Sequence, residues 1–92
     1  MTSDTRIRRG PALWRSAPGY LVVAAPDGAS VEMGGSAAAI WQLLPAPRAV
    51  PIRVGELVSR LANDHQAPRA AVEVDVVQAL DVLETLGCVV VA

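Results

Sequence analysis

Three prolines within Pro45-Ala46-Pro47-Arg48-Ala49-Val50-Pro51 constrain this chain more than any other feature. Proline lacks a backbone N–H and disfavours helical backbone in the residue before it, so no helix crosses this stretch and an extended connector is expected. At 92 residues the chain has room for one compact core and no second domain. The connector therefore joins parts of one domain.

Before the connector, turn residues cut the chain into short pieces. The first ordered element is expected near Ala12-Leu13-Trp14-Arg15, followed by a turn at Ala17-Pro18-Gly19. Tyr20-Leu21-Val22-Val23-Ala24 is short, β-branched and bounded by turns, which favours a strand. After a turn at Pro26-Asp27-Gly28, Ser30-Val31-Glu32-Met33 alternates polar and apolar, as a strand with one buried face does. These three pieces form an antiparallel sheet too small to stand without helices packed on it. Gly34-Gly35 ends the strand. Ser36 is expected to N-cap a helix over Ala37–Leu44, with Ile40, Leu43 and Leu44 inward and Pro45 as its stop.

Beyond the connector, Val54, Leu57, Val58 and Leu61 recur at helical spacing, which predicts a helix from about Val54 to His65. Pro68 suits the first position of a third helix running from about Arg69 to Leu86, which Gly87 terminates. Cys88-Val89-Val90-Val91 is a β-like tail that joins the sheet or covers the core. The fold class is α+β, an N-terminal three-stranded antiparallel sheet followed by three helices. Residues 1–10, polar and Arg-bearing, are read as a flexible arm, and residues 11–92 as the domain.

The residues argue against catalysis. Enzymes bring together groups that exchange protons, attack or hold a metal, and here such groups are scattered. His65, the single histidine, falls at a helix end where it complements the dipole. Cys88, the single cysteine, sits in an apolar run as a small hydrophobe, and alone it makes no disulfide. Glu73, Asp75, Asp81 and Glu84 share a helix, but at about 100° per residue Asp75 points nearly opposite Glu73 and Glu84, so the four do not converge on a metal. No cofactor is expected. Eight basic against nine acidic residues leave a charge of −1, which supplies no general attraction to nucleic acid or an anionic membrane. Without a signal sequence or a membrane-spanning run, a cytoplasmic protein is expected.

Binding is the alternative. In the third helix Val72, Val76, Ala79, Leu83 and Leu86 make an inward stripe edged by Leu80, while Val74 and Val77 lie off it beside Glu73, Asp81 and Glu84. That strip of apolar and acidic side chains suits a partner with apolar and positive groups. The strand Ser30–Met33 is read as an exposed sheet edge, and such edges accept an extended peptide as an added strand.

Three segments then resemble the PqqD-like family, also called RiPP recognition elements: small winged helix-turn-helix proteins that bind leader segments of ribosomally made precursor peptides. They are Val31-Glu32-Met33-Gly34-Gly35-Ser36-Ala37-Ala38-Ala39-Ile40-Trp41-Gln42-Leu43-Leu44, then Val54-Gly55-Glu56-Leu57-Val58-Ser59-Arg60-Leu61, then the run from Val72 through Asp75-Val76, Ala79-Leu80, Leu83 and Leu86-Gly87-Cys88-Val89. The proline connector replaces the Asp-Gly turn of many members. The resemblance implies a non-catalytic peptide chaperone whose partners are a precursor leader and a separate modifying enzyme: a radical SAM enzyme, a cyclase or a leader peptidase. It implies peptide contacts from Val31, Glu32 and Met33 on the strand and from Glu73, Val77, Leu80, Asp81 and Glu84 on the helix. Asp75 is read as structural. The rival reading is a winged-helix DNA-binding regulator, and the acidic third helix, basic only at Arg69, argues against it.

Overall fold

The computed structural model describes residues 1–92. In chain order its elements are β1 (Arg6–Arg9), β2 (Leu13–Ala17), β3 (Tyr20–Ala24), β4 (Ser30–Met33), α1 (Gly35–Leu43), β5 (Ile52–Arg53), α2 (Val54–Asp64), α3 (Arg69–Thr85) and β6 (Val89–Val91). Strands β2, β3 and β4 form the expected antiparallel sheet, with β3 in the middle. A second three-stranded sheet, ordered β5-β1-β6, stands beside it, beyond the single sheet that the sequence predicts. Residues 6–9, expected to belong to a flexible arm, are its central strand, with Ile7 opposite both Ile52 and Val91. Ile7 is fully buried. One inward side chain framed by arginines is a weak period-two signal, and its two partner strands lie far away in sequence.

The α+β class and the three helices stand as expected, with boundaries shifted at the caps. Residue Gly34, extended at φ −131°, occupies the N-cap of α1, so Ser36 lies inside the first turn and makes no cap. Gly35, at φ +55°, makes the sharp turn out of β4 that a β-carbon would strain. At the other end of the chain Gly87, at φ +77°, closes α3 as expected. Its N–H donates to the Glu84 carbonyl at 2.9 Å, and the N–H of Cys88 donates to that of Leu83 at 2.9 Å. This doubly bonded left-handed turn satisfies carbonyls that a helix end leaves open and aims the chain into β6.

One apolar cluster joins all the layers. Ile7 of β1, Leu21 and Val23 of β3, Met33 of β4, Ile40 and Trp41 of α1, Leu57 and Val58 of α2, Val76, Leu80 and Leu83 of α3, and Cys88 all belong to it. The two sheets are also tied by Arg9. Its guanidinium lies 4.7 Å from the ring centre of Trp14 on β2 and 5.2 Å from that of Trp41. It donates to the Trp41 carbonyl from Nε (3.1 Å) and Nη2 (2.7 Å), and to the Gln42 carbonyl from Nη2 (3.2 Å). These carbonyls end α1, where a cation also meets the negative end of the helix dipole. No helix is long and apolar enough to cross a membrane.

Candidate strand-and-helix site

Strand β4 is hydrogen-bonded to β3 on one side only, so its other edge is open. The alternation read from the sequence sets its faces: Met33 is buried, Val31 is half-buried against the core, and Ser30 and Glu32 are exposed. What β4 offers a partner is therefore backbone first, with the Val31 and Glu32 side chains to either side of it. Met33 points inward and cannot supply the side-chain contact expected of it.

The two ends of α3 approach the two segments that flank β4. Near the N-terminal half of the helix a cleft of about 340 Å³ separates Val72, Asp75 and Val76 from Gly35 and Ser36, the residues that follow β4. At its C-terminal end, a β-carbon on Gly87 would stand 3.4 Å from Cγ of Pro26, in the turn that leads into β4. The flank of α3 between these two points carries Asp75, Ala79, Val82 and Leu86, which fall within an arc of about 60° at 100° per residue. Val82 is 59% exposed. Asp75, read from the sequence as structural, is exposed and lines the cleft.

The helix residues expected to face a peptide divide differently. Leu80 is fully buried, on a helix that packs against α1, α2 and β6. Its aliphatic side chain is core. Glu73, Val77 and Glu84 lie on the flank away from Asp75, and Glu73 accepts a hydrogen bond from Ser3 Oγ at 3.4 Å. Asp81 is exposed between the flanks. The stripe along α3 is broad, so a helical wheel alone does not tell which of its two borders the sheet approaches. The signal that does is the loop pair: Pro26-Asp27 and Gly34-Gly35 bracket β4, and each end of α3 meets one of them.

His65 also lines the cleft, at the C-cap of α2, and is exposed. Cys88 is fully buried, and burial pushes its thiol pKa up, with the Asp27 carboxylate adding to the effect. No three of the His, Cys, Asp and Glu side chains cluster in a way that could hold a metal ion.

Two three-stranded antiparallel sheets and three helices around one apolar core place the molecule among small α+β domains. The chain belongs to the PqqD family: residues 19–89 match the family described as coenzyme PQQ synthesis protein D (PqqD). Among solved structures it is similar to the PqqD truncation of Methylobacterium extorquens PqqCD, described as a functional, stand-alone RiPP recognition element. The TM-score is 0.77 at 17% identity, covering 98% of this chain and 94% of that one. No curated protein sequence matches at a significant level. The fold is thus that of a PqqD-type RiPP recognition element, and the resemblance read from the three segments holds.

Proposed function

We propose that this chain is a non-catalytic peptide chaperone of RiPP biosynthesis that binds a precursor's leader segment and presents it to a separate modifying enzyme. The open edge of β4, with the two ends of α3 approaching the segments that flank it, is the observation that carries this reading. A leader would enter as an added strand, its backbone bonded to Val31 and Glu32 and alternate side chains resting on the Asp75–Val82–Leu86 flank. Main-chain pairing gives affinity with little sequence demand, and the flank selects the side chains. The family and the solved relative support a peptide-binding role. Bringing a tethered substrate to a radical SAM enzyme, a cyclase or a leader peptidase raises its effective concentration without any chemistry by the adaptor.

The test is titration of the chain with leader segments of ribosomally made precursor peptides, of which the cognate one is expected to bind with a Kd on the order of 1 µM. Replacing Val82→Asp puts a charge in the groove and should weaken binding by about tenfold, whereas Val77→Asp, on the far flank, should change it less than about twofold. Amide shifts should concentrate at residues 30–33. Equal losses from both variants, or shifts that avoid β4, would remove the groove assignment. Loss with Val77→Asp alone would restore the flank first read from the sequence.

A further inference from the structure

On the other side of α3, three arginines line one cleft and none of them is in an ion pair. Arg6 and Arg53 are direct cross-strand partners in the β1–β5 pair, so their side chains leave the same face of the sheet. Like charges at such positions repel and weaken a sheet. Arg69 joins them from the start of α3, held in place by hydrogen bonds to Ser59 Oγ and to the Gly55 carbonyl. All three line one surface cleft of about 630 Å³. The protein's single ion pair, Arg60 with Glu56 at 2.9 Å, involves none of them. The cleft therefore carries three arginines against Asp4 and Glu56, of which Glu56 is taken by Arg60, and one of the arginines is oriented in advance.

We propose that the Arg6–Arg53–Arg69 cleft docks an acidic segment of a second protein, with carboxylates alternating with apolar side chains. Guanidinium groups bind carboxylates through paired N–H donors, and the preset Arg69 loses less freedom on binding than a free side chain does. The apolar part of the partner meets Val50, which is 85% exposed, and Pro51 on the same lip. Asp4 and Glu56 line the same cleft. They oppose a continuous polyanion such as a nucleic acid backbone while leaving room for discrete carboxylates. The first amides of α2 are already engaged: Val54 donates to the Thr5 carbonyl and Gly55 to that of Ser3, both at 2.9 Å. Recognition is thus by guanidinium rather than by a helix end.

The cleft borders the Glu73 flank of α3, since Ser3 both lines it and donates to Glu73. The groove beside β4 lies along the Asp75 flank, so both can be filled at once. Assigning the second protein to the modifying enzyme rests on the function proposed above; the docking itself does not.

The experiment is an NMR titration of the whole chain with a blocked tetrapeptide in which aspartate alternates with leucine. Its asparagine counterpart, inorganic phosphate and a short DNA duplex are the comparison arms. The aspartate peptide should shift the side-chain resonances of Arg6, Arg53 and Arg69 and bind about tenfold more tightly than the asparagine peptide. Val82→Asp should leave this binding unchanged, which separates it from the β4 groove. Arg53→Glu should abolish it and yet raise the thermal midpoint, because it turns a like-charged pair into an opposite one. A purely structural arginine would lower the midpoint instead. The proposal is overturned by equal affinity for the two peptides, by shifts spread evenly over Arg8, Arg15 and Arg48, or by tighter binding of phosphate or duplex than of the aspartate peptide.

Discussion

Trp41 shows how one side chain can be costly and indispensable together. Its ring is fully buried, and its indole Nε1 finds no hydrogen-bond partner, a desolvation cost of about 1–3 kcal/mol. Burial of a large ring, the edge-on contact with Trp14 at 6.1 Å and the Arg9 cation beside both rings offset that cost. Arg9 is itself partly desolvated, which lowers its pKa, yet the group remains a cation at neutral pH. Cys88 yields a prediction at the same scale. Its folded thiol keeps a proton to higher pH than the unfolded one, so the unfolded state ionises first, and stability falls as pH rises past the ordinary thiol value of about 8.5. Thermal melts from about pH 8 to about pH 10 should show a steeper decline for the native chain than for Cys88→Ala. Equal slopes would mean that the buried thiol contributes nothing to the alkaline limb.

Element ends carry more information than element middles. Helix α2 closes with Gln66 at φ +50°, the one residue other than glycine in the left-handed region. The turn matches that at the end of α3, with Ala67 donating to the Ala62 carbonyl at 3.0 Å and Gln66 to that of Asn63 at 3.3 Å. Gln66 is exposed, so its side chain gives little in return for the strain. Gln66→Gly should stabilise the domain by about 1 kcal/mol, read as a higher denaturant midpoint at constant slope. The sequence marked this boundary through Pro68 and the other through Gly87, and both helices end within a residue or so of expectation. Strand β1 escaped because it has a single inward residue and no turn of its own to define it. Ser36 misled for a related reason: a capping residue type stood two residues too late, behind a glycine pair that had already bent the chain.

For the whole molecule, local patterns sufficed to read the hairpin sheet and the helices, whereas everything that depends on distant segments meeting was hidden. The second sheet and the choice of α3 flank are both of that kind. Val31 and Glu32 could be placed on an open strand from alternation alone, but Leu80 could not be told from a surface leucine until α1, α2 and β6 were in position. Gly10 belongs to the same scale. A β-carbon there would stand 2.7 Å from the Gly87 carbonyl oxygen, where β1 leaves the sheet beside the end of α3, and the Gly10 N–H donates to Cys88 at 2.7 Å. Gly10→Ala should cost on the order of 2 kcal/mol, visible as a lower thermal midpoint with the helical circular dichroism of the native state retained. An unchanged midpoint would show that the two chain segments yield easily.

Because residues 7–9 pair with residues 89–91, far downstream, the central strand of one sheet has only the two-residue pairing with Ile52 and Arg53 to hold until β6 has been made. Closing that loop costs chain entropy before any bond rewards it, so this pairing sets a late step in folding. During synthesis the helices and the hairpin can form while the first strand is paired on the β5 side alone. The ribosome must deliver residues 89–91 before the core can seal around Ile7.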